Sequence, residues 1–370
     1  MIEKGRISPF QVAVLMYPTI VVTALLIVPS MTAKHAERDM WISPIWASSI
    51  GFLTVYVAYQ LHKLYPKQTV IEYSEKILGR FLGKMVGAIF LFHYLHTIGI
   101  VFREYAEFVK ENFLFKTPLL VMILGMIFVC TYAVTGGAEV LGRCGEVFVP
   151  IGLFLLVSII LLLIPDMKFE YMFPIMEEGI TPSIIGSFVP QGWFGEFFLI
   201  SFLLPAMKGQ ENRMKWGMIS VFAVMLTMIL FNFVSLFLFG DITKHITYPV
   251  IKAVRYISIA DFFEHVEALV MAIWVLGAFL KICVFSYAIV IGMAQWLNLS
   301  HYHPIVWPIH FLYLPLSLWI ARNYQEVAHF KGTVFYFYSM TVQVLIPILL
   351  LCIAWLRQRR NRHDRSFSVS

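Results

Sequence analysis

The chain carries charge in places where its neighbours are apolar, and those residues need a chemical reason. Lys281 stands between Ala278-Phe279-Leu280 and Ile282-Cys283-Val284, far from either end of a long apolar run. An ammonium at membrane depth costs about 2.5–3.5 kcal/mol on insertion scales, so it must be paired or put to use. A carboxylate such as Glu196 or Glu104 would serve as its counter-ion. Glu196 itself follows Pro190-Gln191-Gly192 and Gly195, where a helix opens easily. A carboxylate there can cap exposed N–H groups, or act as a gate or proton-linked group. Arg103, Glu104 and Glu107 close another apolar run, and the four-residue step from Arg103 to Glu107 suits a solvated salt-bridge face. Arg143 with Glu139 and Glu146 repeats the arrangement and equally suits contact with a partner subunit.

Other signals are weaker. His93 and His96 share a helix face, but no carboxylate or cysteine cluster completes a metal site. Gly79, Gly83 and Gly87 form a small-residue stripe that lets helices approach closely. Cys130, Cys144, Cys283 and Cys352 have no CxxC spacing and read as small buried hydrophobes without disulfides. Nucleophile-elbow, P-loop and dinucleotide motifs are missing, so neither an enzyme nor a bound cofactor is expected.

The elements that must hold these residues are membrane helices. The chain is 59% hydrophobic and 14% charged, with mean hydropathy +0.78, whereas soluble domains are about 25% charged. An all-α polytopic membrane protein follows, in one integral membrane domain over 1–370. Ten transmembrane helices are expected near 10–30, 43–62, 84–109, 118–135, 145–165, 188–206, 216–240, 266–294, 304–321 and 335–356. With loops assigned alternately, 16 Lys and Arg fall on the side of the N-terminus and 10 on the other. That bias puts both termini in the cytoplasm, with 357–370 as a basic cytoplasmic tail. It also accounts for the net charge of +6 without any nucleic acid. The first span, with Tyr17-Pro18-Thr19 and Val22-Thr23-Ala24, and the sixth, with Pro190, Gly192, Gly195 and Pro205, are both rich in helix-poor residues. Interrupted segments five spans apart point to a midplane site between two inverted halves.

Longer stretches carry a resemblance. Glu267-Ala-Leu-Val-Met-Ala-Ile-Trp-Val-Leu-Gly-Ala-Phe-Leu-Lys-Ile, running on to Gly292-Met-Ala-Gln295, resembles the eighth helix of the spore germinant-receptor B subunits. That GerAB-type spore germination permease family lies within the amino acid/polyamine/organocation transporter superfamily. Arg103-Glu-Tyr-Ala-Glu-Phe108, Gly137 to Pro150, Phe173 to Pro182 and Gly195-Glu196 resemble other parts of it, over roughly 8–356. In place of the family's Gly-Thr-Gly-like break this chain has Val22-Thr23-Ala24, keeping only the threonine. The resemblance implies a LeuT-like 5+5 inverted repeat with broken first and sixth helices. It implies germinant sensing in the spore inner membrane beside an A subunit and a lipoprotein C subunit. A ligand pocket would draw on Val22, Thr23 and Ala24, on Gly195 and Phe197, on Tyr94 and Ile98, and on Cys283 or Ser286. Freed N–H and C=O groups there would receive the carboxylate and ammonium of a small amino acid. In related transporter folds a sodium ion bridges the first and eighth helices, and Lys281 would replace it by docking on carbonyls freed around residues 19–24. A proton-coupled amino acid transporter and a ligand-free structural subunit remain open beside the sensor.

Overall fold

The computed structural model describes residues 5–209, 212–255 and 267–367, with side chains undescribed at 267 and 360–367. Residue 266 of the eighth expected span, Lys4 and tail residues 368–370 lie outside that set. The described residues are helical apart from turns and one isolated bridge, between Ile7 and Met207.

Helix α1 (Pro9–Ala36) begins at a capping box, in which Ser8 and Gln11 exchange side-chain-to-backbone bonds, with Pro9 in the first turn. It is buried along most of its length and runs through the middle of the molecule, touching α6 (Gly137–Leu163), α7 (Thr181–Gly186), α8 (Phe188–Gly195), α10 (Arg213–Phe239) and α12 (Glu267–Trp296). The expected interruption at Val22-Thr23-Ala24 is not there: α1 is one continuous helix. No glycine frees the backbone at that point, and Ala24 favours the helix. The expected break in the sixth span is not there either: Thr181–Ala206 stays helical and only its winding changes. After α8 the chain tightens into a 3₁₀ turn at Glu196–Leu199, resumes as α9 (Ile200–Leu203) and tightens again at Leu204–Ala206.

Around this centre lie α2 (Ser43–Leu64), the short α3 (Val70–Leu78), α4 (Arg80–Asn112), α5 (Leu119–Thr135), α11 (Pro249–Val254), α13 (His303–Trp319), α14 (Tyr324–Thr333), α15 (Phe335–Met340) and α16 (Ile346–Phe367). Gly79, at φ +87°, turns the chain from α3 into α4. Gly83 lies so close to the Glu75 backbone that a Cβ would come within 2.3 Å of it. Seven helices among the described residues are long and apolar enough to cross a membrane. The count reaches eight if α13 and α14, bent by 92° at their junction, form one broken span. The expected spans at 43–62 and 118–135 correspond to α2, which carries several serines, and α5, which is short; neither meets that standard of length and hydropathy. Exposed Phe92, Phe128, Tyr132, Phe154 and Trp319 suit contact with lipid tails.

Candidate functional site

A fully buried charge sits where α1, the 3₁₀ turn of the sixth span and α12 meet. Lys281 Nζ donates to Glu196 Oε2 at 2.7 Å and to Thr23 Oγ1 at 2.9 Å, and all three side chains are buried. Trp193 Nε1 donates to the same Thr23 hydroxyl at 2.9 Å. Thr23 thus accepts from two elements at once, joining the first, sixth and eighth expected spans. Phe285, one turn beyond Lys281, places its ring centroid 5.3 Å from the ammonium. The partner of Lys281 is therefore the Glu196 carboxylate and the Thr23 hydroxyl, not backbone carbonyls around 19–24. The carbonyls that α1 leaves without a helical donor are those of Val14 and Leu25, four residues before Pro18 and Pro29, and neither lies within 19–24.

A second buried pair stands beside the first. Lys331 Nζ lies 2.6 Å from Glu104 Oε2, and its ammonium is 5.2 Å from the Trp193 ring centroid. Trp193 therefore binds one network through its N–H and faces the other through its ring. Lys331 falls between the expected spans 304–321 and 335–356, since α14 is too polar to read as a span. Its buried residues Tyr324, Val327 and Lys331 nevertheless follow helical spacing, which places the lysine in the apolar stripe. Trp193, three residues before Glu196, could have been found by the same reasoning.

Arg103 pairs with Glu107 at 2.6 Å and donates to the Arg322 carbonyl. The expected solvated face is in fact buried, because the α13–α14 junction covers it. Arg143 and Glu139 do form an exposed pair at 2.7 Å, and Glu146 accepts from Gln11 at 3.1 Å.

The pocket residues proposed from sequence separate into groups. Thr23 belongs to the Lys281 network. Val22, about 100° further round α1, presses on Gly277 and lines an apolar cavity of about 80 Å³ between α1, α6, α10 and α12. Leu26, Phe148 and Trp274 line it too; of the proposed residues it takes Val22 alone. Ala24, Ile98 and Phe197 are buried. Gly195 lies against Ser339 and Gln343. The Tyr94 ring sits against Phe202 and Phe285, on the side of the Lys281 network. Cys283 points instead toward Cys130 on α5, and Ser286 toward Tyr313 on α13. A two-residue step rotates a helix by about 200°, so Cys283 cannot share the face of Lys281. His93 and His96 both contact the Tyr338 ring, at centroid distances of 4.4 and 5.4 Å.

Known proteins agree with this architecture. Residues 6–325 match the sequence profile of the Spore_permease family, described as spore germination protein. The chain is 26% identical to spore germination protein KB of Bacillus subtilis (strain 168), covering 97% of this chain and 98% of that one. It is 24% identical to spore germination protein YndE of the same organism, covering 97% and 99%. Among solved structures, Mhp1, a nucleobase-cation-symport-1 family transporter in a closed conformation with bromovinylhydantoin bound, superposes with a TM-score of 0.70 at 11% identity, covering 96% of this chain and 80% of that one. MhsT in complex with L-phenylalanine gives 0.66 at 10% identity, covering 96% and 99%. These identities speak for the fold alone, which is LeuT-like. With most of its length matching the family profile, the chain belongs to the spore germination protein family of multi-pass membrane permeases.

Proposed function

We propose that the protein is the membrane-embedded nutrient-sensing subunit of a spore germination receptor. It takes a small amino acid or similar nutrient near the bilayer midplane and passes the change to an A-type subunit and a lipoprotein C-type subunit. It lies in the spore inner membrane with both termini on the cytoplasmic side. The observation that carries the reading is the Lys281–Glu196 pair tied to Thr23 and Trp193 across three elements. A zwitterion brings one charge of each sign, so Lys281 can turn to its carboxylate and Glu196 to its ammonium while the site stays neutral. Exchanging partners in this way alters contacts between α1, the 3₁₀ turn of the sixth span and α12. A ligand shifts a conformational equilibrium only through such differences in affinity between states.

The likeness in fold to transporters favours one alternative, a proton-coupled amino acid transporter. Proteoliposomes carrying the protein, given a panel of labelled amino acids with and without a proton gradient, separate the two. Saturable binding without accumulation, lost in Lys281→Met, is expected. Gradient-driven accumulation would transfer the protein to the transporter class, and absence of binding across the panel would overturn the amino acid reading.

A further inference from the structure

Six cationic side chains, Arg6, Lys63, Lys67, Lys208, Arg213 and Lys215, face one open cleft of about 1160 Å³. The cleft forms where the segment before α1, the end of α2, the end of the sixth span and the start of α10 come together. None of its described lining residues is acidic, and none of the six cations has an ion-pair partner among the described residues; Glu3 and Glu211 lie outside that set. Arg213 is fixed as part of the wall. Its Nη1 lies 2.9 Å from His62 Nε2, its Nη2 donates to the Met207 carbonyl at 2.9 Å, and its Nε donates to Gly209. Arg6, Lys63, Lys67, Lys208 and Lys215 are exposed, with ammonium or guanidinium groups free to turn inward. A general bias of basic residues toward one side of the membrane explains their side, not the convergence of six on one cleft. Like charges gathered in this way repel one another until an anion enters.

The cleft also has an apolar shoulder. Met214, one of its lining residues, is 43% exposed, and so is Phe10. Phe10 meets Trp216 edge-on at 5.1 Å, in the first turns of α1 and α10. Several phosphate-binding cations beside an apolar, aromatic rim at the ends of spanning helices match a molecule that is anionic at one end and hydrocarbon at the other. We propose that this cleft binds the headgroup of an acidic phospholipid, with the cations on its phosphate and the acyl chains over Phe10, Met214 and Trp216. A free phosphate shares the headgroup chemistry but makes no use of the rim.

The test uses the full chain in nanodiscs of phosphatidylcholine, alone or with phosphatidylglycerol added. Thermal midpoint and the lipid retained in native mass spectrometry are both read. Phosphatidylglycerol is expected to raise the midpoint and to be retained in preference. In Lys63→Gln/Lys208→Gln/Lys215→Gln its retention should fall by about tenfold or more, since each basic residue near a membrane surface contributes several-fold. Lys34→Gln/Lys116→Gln/Lys252→Gln, which removes equal charge at the opposite ends of the helices, should keep both effects. Inorganic phosphate added to phosphatidylcholine discs should leave the midpoint unchanged. Equal retention in wild type and cleft variant, or equal loss in the control, would overturn the proposal. So would inorganic phosphate reproducing the shift, which would make the site one for a free anion. Should the cleft variant fail to fold, wild type in rising salt carries the same test, because screening must erase the preference. A preference that survives high salt overturns the proposal too.

Discussion

At the scale of single residues, Lys281 and Glu196 depend on each other more than on anything else around them. Both are buried and 2.7 Å apart, so removing one leaves a charge without its partner in an apolar setting. Lys281→Met should therefore cost about 3–5 kcal/mol of stability, whereas replacing both members of such a pair is often close to neutral. The double variant Lys281→Met/Glu196→Gln should recover most of the lost thermal midpoint while still failing to bind a nutrient. If the double variant is as unstable as the single one, the two residues do not act as a pair. Lys281 was legible in the sequence because a lone lysine stands out in an apolar run, and Glu196 because it follows a glycine-rich stretch. Which of two glutamates would pair with Lys281 was not legible. That choice depends on Lys331, which lies 227 residues from Glu104 and claims it instead. No local spacing reports a contact of that range.

At the scale of elements, the α3–α4 hairpin is held by close backbone approach, while one half-buried carboxylate ties α3 to α12. A Cβ on Gly83 would meet the Glu75 Cα at 2.3 Å, and backbone cannot swing aside as a side chain can. Gly83→Ala should cost about 1–3 kcal/mol, read as a lower thermal midpoint, and an unchanged midpoint would show that the hairpin is loose. Glu72 caps α3 by accepting from the Thr69 N–H, and also accepts from the Gln295 amide at 3.0 Å. Burial raises its pKa above the ordinary carboxylate value, partly offset by the Thr69 N–H and by Lys76. The folded protein then holds that proton more tightly than the unfolded chain does. Stability is lost as pH rises from about 4 through the raised pKa, and is level beyond it. Glu72→Gln lacks this loss, so it should gain on wild type across that window; parallel profiles of midpoint against pH would sink the argument. The glycine stripe was legible as a packing device. The unbroken α1 was not, because Pro18 and the β-branched run 19–23 look helix-poor by propensity, while a helix buried on all sides in a membrane has nowhere else to send its N–H and C=O groups.

For the whole molecule, hydropathy revealed a helical membrane protein, since long apolar runs have few other fates. It was less able to reveal how segments fold back, as at the 92° bend between α13 and α14. The positive-inside reading places Lys208 and Arg357 on one side of the bilayer and Lys116 and Lys168 on the other. Single cysteines introduced at 208 and 357 in a cysteine-free background should label from the cytoplasmic side only, and those at 116 and 168 from the opposite side only. Labelling of all four from one side would refute the ten-span topology.

The bridge beside α1 sets how readily its two neighbours part. Ile7 donates its N–H to the Ala206 carbonyl at 3.0 Å and accepts from the Lys208 N–H at 2.8 Å, tying the segment before α1 to the end of the sixth span. Parting those two elements breaks both bonds together. At about 0.5–1.5 kcal/mol each, they favour the joined arrangement over a parted one by roughly 5- to 150-fold, other contacts being equal. Anything that parts these two elements must first make good about 1–3 kcal/mol from this small bridge alone.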